Sequence, residues 1–401
     1  MNASLTDQRL AEPRPSPQHA VQGAFTSPAL AGEVARSAGE GVFTSPALAG
    51  EVARSAGEGS LTVRPFALSD RAAWNAFVHA HPEGTFFHLA EWQYVLKRSF
   101  GHASHYLLAQ SPRGEIRGVL PLARVRSLLF GDALVSTPFC VYGGILAADA
   151  TAHAAITEAA CDLARTLGVD HLEMRNRRRQ HPDWTCKDLY VTFRKPINAD
   201  PEQNMLAIPR KQRAMVRKGI KEELRVEIDA SVDRHYDIYS ESLRNLGTPP
   251  FSRDYLRVLK EVFGESCDIV SILKGERLVA SVLNFYFRDE VLPYYGGGTL
   301  EARAVAGNDF MYWSVMERAR EKGCRIFDYG RSKRGTGAFD FKTYWGFEPE
   351  QLHYEYFLVK RREMPNLSPT NPKYGKAIEL WRRLPLKLTQ LIGPPIAKYL
   401  G

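Results

Sequence analysis

Apolar and polar positions along this chain follow two periods, and the clearest change from one to the other lies between Val291 and Gly346. The run Val291 to Tyr295 is β-branched and aromatic and stops at Gly296, Gly297 and Gly298, which predicts a strand closed by a glycine turn. Met311, Val315 and Ala319 then recur at helical spacing, with Glu317, Arg318, Arg320 and Glu321 on the other side. Asn308 is the expected N-cap, Asp309 falls in the first turn, and Gly323 stands where a helix ends, so a helix is predicted from Asn308 to Lys322. Cys324 to Tyr329 is apolar on both alternating faces except at Asp328, as in a strand covered on both sides. A carboxylate there needs a partner, and Arg331, Lys333, Arg334 and Lys342 are the nearest in sequence.

The same order of patterns occurs earlier. HYLLAQ and IRGVLPLARVRS read as strands, ALVSTPFCVYGGILA as a strand ending in Tyr142, Gly143 and Gly144, ATAHAAITEAACDLARTLG as a helix closed by Gly168, and HLEMRN as a further strand. In the second half DIVSILKG, ERLVASVLNFYF and VLPYYGGG precede the helix and strand just described. The pattern therefore predicts a duplicated α/β unit, with a mixed sheet in each half and YGG at 142–144 matching YYGGG at 294–298. The expected division is a tail over 1–59, a first unit over 60–196, a basic helical connector over 197–225, a second unit over 226–362 and a C-terminal tail over 363–401.

Between the halves, IPRKQRAMVRKGIKEE places Arg210, Arg213, Arg217 and Lys221 on one helical face, flanked by Lys211 and Lys218, with no acid before Glu222. Such a face is either simply solvated or binds phosphate. The C-terminal segment KAIELWRRLPLKLTQLIGPPIAKYLG is basic and apolar, with breaks expected at Pro385 and at Pro394-Pro395; it either packs back on the core or meets an anionic membrane surface. At the other end, FTSPALAGEVARSAGEG begins at Phe25 and again, unchanged, at Phe43. Two copies rich in Ala, Gly and Ser supply no core, so this region is expected to be a disordered tail.

Composition narrows the partners rather than the fold. With 401 residues and 44% hydrophobic content, there is enough apolar material for two cores. A formal net charge of +8 favours an acidic partner: phosphate, nucleic acid or an anionic membrane face. The five cysteines are scattered and form no CxxC pair, so neither a disulfide framework nor a cysteine zinc site is expected. His102 and His105 in GHASH, and His88 and His353 among aromatics, lack a carboxylate or cysteine at ligand spacing, and no metal is expected. Without an apolar signal core or an uncharged run near the roughly 20 residues of a spanning helix, a cytoplasmic protein is expected, peripheral to the inner membrane at most.

The duplicated unit, IPRKQRAMVRKG, YYGGG, FDYGRSKRGTGAFDFKTYWGFEP and the terminal LIGPPIAKYLG together resemble the FemAB-like acyltransferases. More narrowly, they resemble FemAB-related proteins associated with the PEP-CTERM/exosortase system and exopolysaccharide gene clusters. The resemblance covers roughly residues 61–401 and implies two tandem GNAT-like domains. It also implies transfer of an acyl or aminoacyl group, from aminoacyl-tRNA or acyl-CoA, to an amine on a phosphate-bearing cell-envelope precursor. No tightly bound cofactor is expected. Lys342, Tyr344 and Trp345 fit the family's lysine and aromatics after the last long strand and are candidates to line the acceptor or donor groove, unless Tyr344 and Trp345 are simply core; Tyr142 is a further candidate substrate contact.

Amine attack on an activated carbonyl needs the amine held in place, a donor for the developing oxyanion and a path for the amine's proton. Backbone N–H groups from Tyr295 and Gly296 to Gly297 are the candidate oxyanion donors, unless this is a plain turn. Asp328 is the candidate proton acceptor, unless it is only a buried partner of Arg331 or Lys342. Arg331, Lys333 and Arg334 are candidates for a diphosphate or a tRNA backbone. The pyrophosphate signature of acetyl-CoA-using GNAT domains, R/Q-x-x-G-x-G/A, is largely absent: Arg303 stands at its start, and Gly307 and Asn308 fall out of register.

Overall fold

The computed structural model describes residues 61–127, 130–363 and 375–400. The repeat-bearing tail expected over 1–59 and the Pro365 to Pro372 linker therefore lie outside the described residues.

In chain order the first half carries β1 (Thr62–Pro65), α1 (Arg71–Ala80), α2 (Glu91–Phe100), β2 (Ala103–Ser104), β3 (Leu107–Gln110), β4 (Ile116–Leu120), β5 (Leu122–Ser127) and β6 (Gly131–Ser136). It continues with β7 (Leu146–Ala147), α3 (Ala150–Leu167), β8 (His171–Asn176), β9 (Thr185–Lys187) and β10 (Tyr190–Pro196). Pro121 separates β4 from β5 and, lacking an N–H for the ladder, marks the point where the chain passes from one sheet to another. Strand β4 lies in a four-stranded sheet ordered β1-β3-β4-β7, whereas β5 enters the sheet of β6 and β8. The helix expected to close at Gly168 does so, with that glycine at φ +59°.

The second half contains α4 (Pro201–Ala207), α5 (Arg210–Lys221), β11 (Arg225–Ile228), α6 (Asp233–Leu246), α7 (Arg253–Phe263), β12 (Cys267–Lys274), β13 (Arg277–Phe287) and β14 (Glu290–Gly298). After it come α8 (Leu300–Ala304), α9 (Gly307–Glu321), β15 (Ile326–Asp328), β16 (Ser332–Lys333), α10 (Gly337–Tyr344), β17 (Pro349–Gln351), β18 (His353–Leu358), α11 (Gly375–Arg383) and α12 (Leu386–Ala397). In both halves an antiparallel pair leads through a helix to a parallel strand: β5-β6 then β8, and β13-β14 then β15. The duplication read from the pattern is present as topology.

The halves exchange strands. Strand β10 leaves the first half and pairs antiparallel with β15, Arg194 opposite Asp328, within the sheet β11-β12-β13-β14-β15-β10-β16. Strand β18 returns from the end of the second half and inserts between β8 and β9. Divisions at 196 and 226 thus separate two strands from the sheets that hold them. Alternation explains the fit of β10: Val191 and Phe193 enter the core with Phe327, Trp345 and Phe347, while Tyr190, Thr192 and Arg194 share the opposite face.

Three local expectations are corrected. Gly296, Gly297 and Gly298 do not turn; they continue β14, paired with Val282, Ser281 and Ala280. Close packing explains them, since a Cβ at Gly297 would stand 2.9 Å from the Ile238 carbonyl oxygen and from Ser242 Cβ on α6. We expect Gly297→Val to cost about 2–3 kcal/mol by overpacking, read as a shift in urea midpoint at constant slope; an unchanged midpoint would show that α6 yields freely. In the first half β6 ends at Ser136, and Tyr142, Gly143 and Gly144 lie in the loop beyond it, so YGG and YYGGG are not equivalent positions. Helix α9 starts at Gly307 after Ala306 at φ +57°, and Asn308 is not its N-cap.

Candidate functional site

Strand β10 lies beside β15 where the parallel pairing of β14 with β15 ends. Only Glu290 and Val291 of β14 pair with Ile326 and Phe327, and beyond them the strands diverge. Tyr294 is the extra residue of a bulge, since Leu283 faces Tyr295 but Asn284 faces Pro293, and its hydroxyl donates to the Phe139 carbonyl of the first half at 3.0 Å.

Asp328 stands at the end of β15 with no exposed surface. Its partners are not those nearest in sequence. The Tyr142 hydroxyl donates to Oδ2 at 2.9 Å, and Oδ1 accepts the Gly330 N–H at 2.7 Å and the Thr192 hydroxyl at 3.3 Å. Tyr142 and Thr192 oxygens are 2.6 Å apart. Arg194 lies 3.9 Å from Oδ2 and is bound on its other side by Glu290. Burial, with the Asp328 charge adding to it, holds the Tyr142 hydroxyl well above its ordinary range.

Lys342, on α10, donates to the carbonyls of Tyr329, Gly330 and Arg331 at 2.7, 2.9 and 3.2 Å. All three ammonium protons are thereby engaged, and the turn after Asp328 is pinned. Burial lowers the Lys342 ammonium to about 7, opposed by the Asp328 charge and reinforced by Arg331. Arg331 packs over the Tyr190 ring at 4.6 Å and donates to the Tyr354 hydroxyl at 3.1 Å; that hydroxyl donates in turn to the Val141 carbonyl at 2.8 Å. Among the described residues, no carboxylate pairs with the Arg331 guanidinium. The expected ion pairs of Asp328 with Arg331 and with Lys342 are therefore replaced by contacts from Tyr142, Thr192 and Arg194, the last two brought in on β10.

A cavity of about 30 Å³ opens beside Tyr142, lined also by Thr85, His88, Gly144, Arg175 and Asn176. His88 is bound by Thr85 and the Gly144 carbonyl, and burial lowers it to about 3, so it stays neutral. Tyr295 contributes its ring to the core and its hydroxyl to Tyr255 at 2.8 Å, and the backbone at Tyr295 and Gly296 belongs to the ladder with β13.

The remaining expected residues lie elsewhere. Trp345 is a core residue whose indole N–H donates to Asp309 at 3.0 Å, and Tyr344 is 62% exposed at the end of α10. Lys333 pairs through β16 with Tyr190, whose ring Arg331 covers, while Arg334 donates to Gln351 at 3.0 Å. Arg213 caps the end of α4 through the carbonyls of Leu206 and Ile208, 3.2 Å each, rather than facing outward with its neighbours. Arg210, Lys211, Arg217 and Lys218 are exposed on α5 and form no ion pair among the described residues.

The first turn of α9 carries a buried carboxylate. Buried Asp309 accepts N–H groups from Gln212 of α5 and from Trp345, and burial raises its carboxyl above the usual range. Arg303 is exposed on α8, and Gly307 packs against Ala302 and Val279, where a Cβ would have 3.2–3.3 Å of clearance. Thr192, Arg194, Glu290, Tyr190 and Tyr354 are the site residues that the sequence reading missed. The alternation Tyr190-Thr192-Arg194 was visible; that this face meets Asp328 was not.

These features define a tandem pair of GNAT-like units joined by strand exchange. Residues 208–343 match the family model described as Acetyltransferase (GNAT) domain. Among solved structures, that of FemX is similar, with 14% identity and a TM-score of 0.58 over 74% of this chain and 97% of that one. A tandem GNAT protein from the clavulanic acid biosynthesis pathway gives 13% identity and 0.49, covering 76% of this chain and 100% of that one. The C-terminal domain of a putative lysylphosphatidylglycerol synthetase from Agrobacterium fabrum gives 13% and 0.49, over 73% and 92%. No curated protein matches the chain in sequence.

Proposed function

We propose that this protein is an N-acyltransferase that passes an aminoacyl group to an amine on a phosphate-bearing cell-envelope or exopolysaccharide precursor, in the manner of the PEP-CTERM-associated FemAB-like proteins. The observation that carries the reading is Asp328: a buried carboxylate at the divergence of β14 from β15, hydrogen-bonded to Tyr142 of the other half. An attacking amine must shed a proton as it bonds to the carbonyl carbon, while the ester C–O bond breaks and the tRNA's ribose oxygen leaves and takes up a proton. A fixed carboxylate reached through Tyr142, which lines the small cavity, is suited to pass that proton from one to the other. Since Asp328 itself is closed off, it acts through the Tyr142 hydroxyl, and Lys342 and Arg331 hold that arrangement. The exposed cations of α5 supply the polyanion contact, whether to the precursor's phosphates or to the tRNA backbone.

Asp309, an acid in the first turn of α9, disfavours a further anion at that helix start and so supports an aminoacyl-tRNA donor over acyl-CoA. We expect acetyl-CoA, at about 100 times a typical dissociation constant, to leave the melting temperature unchanged; a bound ligand would add about 2.7 kcal/mol of stability. Aminoacyl-tRNA is expected to bind more tightly than its deacylated form. A melt raised by several degrees with acetyl-CoA would overturn the donor assignment. Equal binding of charged and deacylated tRNA would instead favour a nucleic-acid-binding protein without transfer activity.

A further inference from the structure

Helix α12 is amphipathic in the wrong sense for a helix that only packs on its own protein. Its buried positions are Thr389, Gly393 and Ala397, all small, and a Cβ on Gly393 would meet Pro250 at 2.5 Å. Its outward positions are Leu388, Leu391, Ile392 and Pro395, spaced so as to form one stripe, with Leu391 72% exposed. The helix is firmly seated despite two internal prolines: Gln390 donates to Ser240 at 2.8 Å, and His102 donates to the Lys398 carbonyl at 2.7 Å. The expected break at Pro394-Pro395 does not occur, and the tail packs back on the core through Trp381 and the small face of α12, with Leu391 turned outward. Of the thirteen exposed large apolar side chains among the described residues, five lie between Leu380 and Leu400, and Leu246 adjoins them through the Arg382 contact to its carbonyl. Single exposed leucines need no explanation, but a stripe of them does.

We propose that this face docks on an anionic lipid bilayer. The segment that carries the stripe holds Lys376, Arg382, Arg383, Lys387 and Lys398 against the single acid Glu379, and the neighbouring α6 adds Asp237, to which Gln390 donates at 3.3 Å. That charge selects the occupant. A second copy docking through the same face would bring five cations against five across an isologous interface, whereas anionic headgroups neutralise them while the leucines enter the acyl boundary. No helix among the described residues is long and apolar enough to cross a membrane, so the attachment is to the surface.

The full chain is tested by co-sedimentation with vesicles of phosphatidylcholine alone and of phosphatidylcholine mixed equally with phosphatidylglycerol. The expected result is binding to the anionic vesicles only, weakening as salt rises. The double variant Leu391→Glu/Ile392→Glu abolishes it while the chain stays folded by circular dichroism, since Leu391 is 72% and Ile392 36% exposed. Arg383→Ala/Lys387→Ala weakens partitioning by about thirtyfold. Absence of binding to anionic vesicles, or binding untouched by both variants, would overturn the proposal. So would a concentration-dependent dimer in sedimentation velocity that Leu391→Glu/Ile392→Glu dissolves, since the stripe would then belong to a second copy. An acidic protein that competes with vesicles no better than free polyglutamate leaves lipid as the occupant; one that binds the stripe more tightly than the vesicles do displaces it.

Discussion

Asp328→Asn is expected to lower turnover by at least about a hundredfold, the scale of a lost general base, while leaving acceptor binding intact. The substitution keeps the shape and removes the charge. Asparagine with its oxygen at the Oδ1 position still accepts the Gly330 N–H and the Thr192 hydroxyl, but its NH2 then faces the Tyr142 hydroxyl, which must reverse to accept, and stands on the side of the Arg194 guanidinium. Arg194 keeps Glu290 as a partner, so the loss of folding stability should stay near 3 kcal/mol, at the low end for a broken buried pair. Thr192→Val is the control: it removes a neutral hydroxyl and costs about 1 kcal/mol, with a far smaller effect on turnover. Both quantities are measurable, stability by urea unfolding and function by complementation of a deletion strain. If Asp328→Asn complements fully, the carboxylate is structural and the proposed chemistry lies elsewhere.

That prediction depends on contacts that only the fold supplies. The order of elements was legible because each half repeats one hydrophobic pattern, and the helix closed at Gly168 and the basic helix at Arg210–Lys221 carry strong local signals. Asp328 was legible as a problem, a charge in an otherwise apolar strand, because burying it without a partner is prohibitive. Its partners were not legible: Thr192 and Arg194 are far away in sequence and arrive on a strand that crosses between sheets. Sequence proximity pointed to Arg331 and Lys342, and both do come close, but to aromatic rings and backbone carbonyls. The glycines misled for a related reason. Gly296 to Gly298 read as a turn when considered alone, and only the close approach of α6 shows that they are a flat place in a strand.

Lys342 is expected to give the enzyme a falling alkaline limb that an arginine removes. Its ammonium titrates near 7 because burial disfavours the charge, although Asp328 opposes the shift. Below that pH three protons serve three carbonyls; above it the neutral amine has two, and one buried carbonyl in the turn from Tyr329 to Arg331 loses its donor, at a cost of about 1–3 kcal/mol. The turn that sets Asp328 then loosens, so turnover declines as pH rises through about 7. Stability moves the other way. The folded pKa lies below the unfolded value, so between about 7 and 10.5 the unfolded chain binds more protons, and this group's contribution to stability rises with pH across that window. A lost ion pair would lower both together, which makes the opposed slopes diagnostic. Lys342→Arg, which stays charged throughout, should retain activity across the alkaline range if its fork reaches the same carbonyls, and Lys342→Met should lose activity at every pH. A wild-type limb that Lys342→Arg leaves in place would assign the titration to another group, and full activity in Lys342→Met would show that the turn holds Asp328 without it.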